Sequence, residues 1–524
     1  MPKYKSSLAV LDRPVSLELV LELLSFAGGE NTKGEDAALK SNEARLIENW
    51  DSLSIGGMER SKGFNEVADG GAPYTAALDL VAHHKEGTAT TRVFGVIAGD
   101  LVYKNGAVLS QTDAAAFTSG KLCHAVSAGD KLWITNETDN LKYKTIAGAI
   151  TVPASVPTAA RSRIYHSRFR LLAEGNGKTV YGSRAASGNW TAADAWSLAN
   201  DAFNIDLPDQ TFGMVPGFPS GVEDLIFTYF RTYALFNYPD VAYRIIPNGI
   251  GCAAPYTIAR GKEGVFFLSN YPTLGIFLYN GVDFIELTVL HDFVEDVNLA
   301  QRVFGIYRDG RYYFFYNETG SGVTYPNRVK IYDTRWGRWM SRPVNASLSD
   351  NFGYPALLQY DNNELYAGSS QKDKLYELET EDDSDEANDT QATYRTKTFS
   401  SRDWSTIDGS PFPVDHVRLK LLKMVITLFG TTGNVGVLWR ADRGARSGSQ
   451  TITLSASGDL INSTFTVNTS QIIALDSLVD KTFIRSFANA AIGRFFSFDI
   501  TNNATGNRPK IRSVKLHALA LEEL

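Results

Sequence analysis

Between about residues 90 and 380 one arrangement keeps returning: an apolar strand, a turn, a second apolar strand ending in an aromatic, then a polar gap. The clearest copy is FGIYRDGRYYFFY, Phe304 to Tyr316, where large apolar side chains alternate across an Asp-Gly pair. Period-two alternation puts successive side chains on opposite faces of a strand, and Asp-Gly between two such runs predicts a tight hairpin. Weaker copies are VFGVIAGDLVYKNG (Val93 to Gly106), HAVSAGDKLWITNETDNLKYK (His124 to Lys144) and RFRLLAEGNGKTVYGSRAASGNW (Arg168 to Trp190). Three more are LIFTYFRTYALFNYPDVAYRI (Leu225 to Ile245), GVFFLSNYPTLGIFLYNGVDFIEL (Gly264 to Leu287) and ALLQYDNNELYAGSSQKDKLYELE (Ala356 to Glu379).

About seven such units, spaced by roughly 30 to 60 residues, fall in the regime of propellers and other repeat folds. A small sheet with two apolar faces cannot bury both alone, and ringing several around an axis covers them. The pattern therefore predicts an all-β fold: a β-propeller of about six to seven blades over 66–379, its aromatics packing blade against blade and its polar loops forming the rims. An array of plain β-sandwiches is the competing architecture.

The flanks read differently. Residues 1–65 predict a short, partly helical segment leading into the propeller. SNEARLIENW has helix-like apolar spacing with Ser41 or Asn42 as a possible cap, and GGMERSKGF reads as a turn into a strand. The opening stretch resembles a signal peptide, but Asp12, Glu18 and Glu22 interrupt it, and it suits a short amphipathic helix or strand. Residues 380–390, TEDDSDEANDT, predict a solvated acidic linker; the Gly and terminal Glu of a calcium loop are missing. Over 391–524, runs such as HVRLKLLKMVITLFG, NVGVLWRAD, TFTVNT, RFFSFDIT and PKIRSVKLHALAL predict a β-sandwich of jelly-roll type.

Composition sharpens this picture. Of 524 residues, 44% are hydrophobic and 12% aromatic, with 44 glycines, enough for a large core built from short strands and tight turns. A net charge of −7 argues against gripping nucleic acid, while still allowing a surface past which DNA slides. Cys123 and Cys252 stand far apart with no metal-ligand spacing and read as two small buried residues. No run reaches the length of a membrane-spanning helix.

Candidate chemistry is sparse. His83 and His84 are adjacent, so on a strand they point to opposite faces, and they read as exposed loop residues rather than metal ligands. His124, His166, His291, His416 and His517 stand alone and read as packing or surface residues. Ser220, Ser369 and Ser370 lack the strand-to-helix elbow of a nucleophile. GNGKTV, Gly175 to Val180, sits in a hairpin and reads as a turn rather than a phosphate loop. Asp224, Glu295 and Asp296 are carboxylates of the sort a glycosidase would pair, yet no spacing ties them together. No catalytic, cofactor-binding or metal residue is assigned, and no cofactor is expected.

The phrase SNEARLIENWDSLSIGGMERSKGFNEV, the run of hairpins, KIYDTRWGRWMSRPV and a terminal sandwich, in that order, resemble the propeller proteins of short-tailed bacteriophage tails. These are the nozzle proteins, also called packaged-DNA stabilisation or tail tubular proteins. Arg60, Gly63 and Phe64, and Tyr332 to Trp336 with Trp339, carry the likeness. The resemblance implies a structural, non-enzymatic virion protein, made in the host cytoplasm and placed in the tail. It implies a homo-hexameric ring that extends the DNA channel below portal and adaptor, retains the genome and supports fibres or spikes. Duplex DNA would pass without specific binding, along net acidic channel loops. The alternatives are a glycan- or protein-binding propeller, with Trp190, Trp196 and Trp404 stacking on sugars or packing in the core, and a glycoside hydrolase.

Overall fold

The computed structural model describes residues 17–521 except 24–25, 27, 34–38, 41, 53–56, 70–75, 87–89, 159, 176, 186–189, 193, 219–222, 239, 248, 290, 301, 320–324, 344–356, 360–363, 369–373, 379–383, 386–387, 390, 415–416, 430–432, 455–479, 488–490 and 503–509. The chain divides into two compact units, Met1–Ser61 with Gln391–Leu524, and Lys62–Thr390.

In the second unit the described residues form seven antiparallel strand groups. Group 1 spans Leu78–Glu86, Thr90–Ile97, Asp100–Asn105 and Val108–Asp113. Group 2 is His124–Ala128, Lys131–Thr135 and Lys142–Lys144, and group 3 is Ala160–Ser167, Arg170–Gly175, Thr179–Gly182 and Phe203–Asp206. Group 4 is Thr211–Val215, Asp224–Thr228, Thr232–Phe236 and Ala242–Ile245. Group 5 is Ala259–Arg260, Val265–Ser269, Gly275–Tyr279 and Phe284–Glu286. Group 6 is Phe304–Arg308, Arg311–Tyr316, Arg328–Asp333 and Arg338–Pro343. Group 7 is Leu357–Gln359, Leu365–Gly368 and Lys374–Leu378, completed by Phe64–Asp69 from the start of the unit.

Alternation glues these groups in sequence. Leu132 and Ile134 of group 2 pack with Phe94 and Leu101 of group 1, while Trp133 between them packs with Ile164 and Leu171 of group 3. Leu172 faces group 4, where Ile226 and Leu235 receive it. Phe227 meets Phe267 of group 5, with ring centroids 4.6 Å apart, while Phe266, one residue away, stacks on Tyr312 of group 6 at 5.0 Å. Phe304–Arg308 lies against Leu357–Gln359, and Leu375 and Ala68 of group 7 pack with Leu78 and Val93 of group 1. The last group thus returns to the first. The unit is a β-propeller, and the seven phrases picked out in the sequence coincide with its seven groups.

The opening hairpin turns as its sequence predicts. Asp309 and Gly310 have φ of 47° and 77°, the left-handed pair that an Asp-Gly hairpin turn uses. The Gly175 to Val180 stretch is likewise a hairpin turn, with Gly177 N–H donating to the Gly175 carbonyl at 2.9 Å.

The first unit holds two antiparallel sheets. One joins Glu18–Leu23, Lys510–Leu521, Arg418–Phe429 and Lys481–Ser486. The other joins Glu43–Glu48, Ala392–Thr396, Phe496–Asn502, Gly433–Ala441 and Arg446–Leu454. Met58–Arg60 also pairs with Lys510–Leu521 in the first sheet; its Arg60, 1% exposed, reaches Asn502 on the second, and Gln450 donates to the Ser486 carbonyl. TFTVNT lies outside the described residues.

Two expectations are corrected. SNEARLIENW is not helical: Glu43–Glu48 is a strand paired antiparallel with Ala392–Thr396. A β-bulge between Ala44 and Leu46 shifts the buried face by one residue, so Ala44 and Ile47 both point inward three positions apart. That spacing imitates the helical period, and a ladder from distant chain outweighs local propensity. Of the proposed caps, Ser41 lies outside the described residues and Asn42 stands in a turn. The acidic stretch is no plain linker either. Ser384–Asp385 pairs with Asn388–Asp389, and Asp385 pairs with Phe64; the rest lies outside the described residues.

Trp339 measures what inter-group packing contributes. It is 1% exposed, donates from Nε1 to the Leu287 carbonyl at 2.8 Å and meets the Phe293 ring edge-on at 5.2 Å. Trp339→Ala should cost about 3–5 kcal/mol, read as a lower urea midpoint at unchanged slope.

Candidate functional site: the propeller axis

The first strands of groups 3, 2, 1, 7, 6 and 5 stand side by side in that order, and a cavity of about 280 Å³ lies along the axis. Its wall includes Leu80 and His83 of group 1, Cys123 and His124 of group 2, Tyr165 of group 3, Met214 of group 4, Tyr256 before group 5 and Phe304 of group 6. At ~30 Å³ per molecule, this void holds about nine waters' volume. It is far too small for a duplex whose major groove alone is ~12 Å wide.

A buried ion pair stands beside the polar residues of this wall. Arg163, on the first strand of group 3, donates from Nε and Nη2 to Glu174 Oε2 at 3.0 and 2.5 Å, and Nη2 also reaches the Thr211 carbonyl at 3.3 Å. Glu137 stands 3.5 Å from Nη1 with its side chain 56% exposed. Burial pulls the Arg163 pKa down, but the Glu174 charge outweighs it and the net shift is upward. Burial, then the same Glu174 charge, raises the Tyr165 phenol well above its ordinary range. Tyr256 is also pushed up by burial, and among the described residues its hydroxyl has no hydrogen-bond partner.

His124 sits between these groups, 4.9 Å from the Tyr165 ring and 6.1 Å from Tyr256. The Ile164 N–H donates to its Nδ1 at 3.3 Å, which leaves the ring proton on Nε2. Burial, then the Arg163 charge, drives its pKa down to about 3. The ring is therefore neutral at physiological pH, and no carboxylate is poised to turn it into a general base: Glu174 is engaged by Arg163 and Tyr165. What the axis offers is a wall of polar and apolar groups in nearly equal share, with fixed dipoles.

The structure separates the residues singled out in the sequence. His83 and His84 do face opposite ways, His83 onto the axis and His84 toward Ser127 Oγ at 2.8 Å, but both stand on a strand and not in an exposed loop. His166 packs on Trp190 and His291 on Trp339. His517 Nδ1 meets Glu18 at 2.9 Å; His416, Ser220, Ser369 and Ser370 lie outside the described residues. Asp224 is fully buried and accepts from Ser167 Oγ, the Gly217 N–H and Tyr238 Oη at 2.6, 2.7 and 2.5 Å, while Glu295 and Asp296 are exposed on a short 3-10 turn. They form no pair. Among the described residues no three His, Cys, Asp or Glu side chains converge as metal ligands. Cys123 and Cys252 are buried free thiols, and burial raises Cys252 to about 12. Trp190, Trp196 and Trp404 are all buried, so they pack the core and offer no face to a sugar. Sequence reasoning missed Arg163, Glu174 and Tyr256, whose only signal is a charged or phenolic group inside an otherwise apolar strand or turn.

Glu174→Gln should destabilise the fold by about 3–5 kcal/mol by taking the buried carboxylate from a buried guanidinium, whereas Glu137→Gln at the exposed partner should cost under about 1 kcal/mol. Denaturant titration of both variants checks the contrast. The unfolded chain protonates His124 near 6.5 and the folded chain only near 3. Its contribution is therefore complete above 6.5 and is lost as pH falls toward 3. His124→Gln should flatten stability against pH across that window.

Neither a protein family nor a curated protein matches the chain. Among solved structures, the extracellular domain of a hybrid two-component system from B. thetaiotaomicron is similar, with TM-score 0.44, 10% identity, and 61% of this chain against 39% of that one covered. A second such domain from B. thetaiotaomicron gives TM-score 0.44 at 9% identity, covering 79% and 58%. The chain thus spans about two-fifths to three-fifths of the length of these domains. YCF48 bound to a D1 peptide gives TM-score 0.38 at 11% identity, covering 64% of this chain and 99% of that one. Likenesses of this size carry no inference about what this chain binds.

Proposed function

We propose that this chain is a non-catalytic propeller module that works through its surface, presenting rigid edges and rims to protein partners. The observation that carries the reading is the outer edge of groups 4 and 5. Among the described residues the last strands of groups 4 and 5 each end their sheet with an unpaired side, and they carry exposed apolar residues: Tyr243 at 38%, Ile245 at 48% and Ile285 at 44%, with Val282 in the adjoining turn at 77%. Open strand edges are normally guarded by charge or bulges, and exposed apolar groups on one invite a covering chain.

A second reading takes that covering chain to be another copy. It rests on the sequence phrases that resemble phage nozzle proteins, which fall on Arg60, Phe64 and the Tyr332 to Trp339 hairpin. In that reading the module is one subunit of a homo-hexameric tail ring, contacting portal, adaptor and fibres. Since the propeller axis is too narrow for a duplex, the DNA channel would lie between copies.

Light scattering on the purified chain separates the two. A hexamer that dissociates on Ile245→Lys with Ile285→Lys supports the nozzle. A monomer at tens of micromolar counts against it and leaves the partner a different protein. An edge double variant with full affinity for every partner captured by the native chain would overturn the surface reading itself.

A further inference from the structure

Away from the axis, the turn between Ala160–Ser167 and Arg170–Gly175 meets the Tyr238 loop of group 4 around a pocket of about 330 Å³, the small end of the range that holds small molecules. Its floor is fixed. Tyr238 Oη donates to the fully buried Asp224, and Arg170, 7% exposed, donates to the Ser183 and Asp201 carbonyls at 2.6 and 2.5 Å. Arg168, at the turn with φ of 54°, holds its guanidinium 5.4 Å from the Tyr238 ring centroid. That planar fork is exposed, and among the described residues no carboxylate pairs with it. Beside it Phe169 is 66% exposed at the turn, and Asp201 lines the same pocket.

We propose that this pocket binds a carboxylate-bearing sugar, of the uronic acid class. The Arg168 fork takes the carboxylate bidentately, the Phe169 face takes the apolar face of the sugar ring, and Asp201 accepts a hydroxyl. A monoanion with neutral hydroxyls suits a wall that mixes guanidinium with a carboxylate, whereas the Asp201 charge works against a phosphate dianion. An unadorned anion would also leave Phe169 without a role. The pocket is lined by none of Tyr243, Ile245, Val282 and Ile285, so binding there is read separately from assembly.

Titration of the full chain with D-glucuronate, followed by ligand-observed NMR, tests this. Binding is expected in the low-millimolar range open to a single sugar, at least about ten-fold tighter than D-glucose and weakened by salt. Arg168→Ala and Phe169→Ala should each weaken it by about ten-fold or more, and Arg168→Lys, which keeps the charge but loses the fork, by nearly as much. Both positions are exposed, so native melting curves are expected for the variants. Equal binding of glucose, equal binding of inorganic phosphate, an unaffected Arg168→Ala variant, or no binding at tens of millimolar glucuronate would each overturn the assignment. Light scattering on the same samples keeps that failure separate from failure of the surface reading.

Discussion

Every strand group of the propeller is apolar on both faces, and the rest of the unit follows from that constraint. Trp133 and its neighbours Leu132 and Ile134 serve opposite partners because a strand sends successive side chains to opposite sides. The same split recurs at Phe266 and Phe267. A sheet of this kind has no stable life alone. It needs a neighbour on each side, and an array of such sheets stops exposing apolar faces only when the last meets the first. Phe64–Asp69 makes that closure by pairing with Lys374–Leu378, a strand more than three hundred residues later. The ends of the ring are therefore locked by hydrogen bonds as well as by packing.

Closure leaves an axis, and the axis is where this acidic protein buries charge. Arg163 and Glu174 are buried against each other beside the cavity, and their desolvation is offset by two guanidinium N–H groups converging on Glu174 Oε2 and by a contact to the Thr211 carbonyl. Burial, then the Arg163 charge, keeps His124 neutral, and burial keeps the nearby phenols protonated. These are the marks of a structural ion pair in low dielectric, which perturbs titration as strongly as an active site does without assembling nucleophile, base and acceptor.

In the function proposed above, the periphery is the part that meets partners. The outer strands and turns are the parts the ring closure does not consume. They carry what a folded monomer would ordinarily hide: apolar residues on the open edges of groups 4 and 5, and a free guanidinium beside an exposed phenyl ring on the turn of group 3. The buried tryptophans are spent on the core. Recognition falls to smaller features that the tight hairpins hold in place.

Alternation, Asp-Gly and Gly-rich turns, and recurring aromatics determined the all-β character, the propeller's repeated hairpins and the use of the aromatics between groups. These are local signals, legible because strand periodicity and turn chemistry act over a few residues. The tertiary structure alone decided that Glu43–Glu48 is a strand and that Phe64–Asp69 completes the last group. It also decided that Arg163, Glu174, His124 and Tyr256 share one axis, and that Arg168 faces Tyr238. The physical reason is common to all four. Each depends on partners far along the chain, and a bulge or a buried charge gains its meaning only from what the closed fold sets beside it.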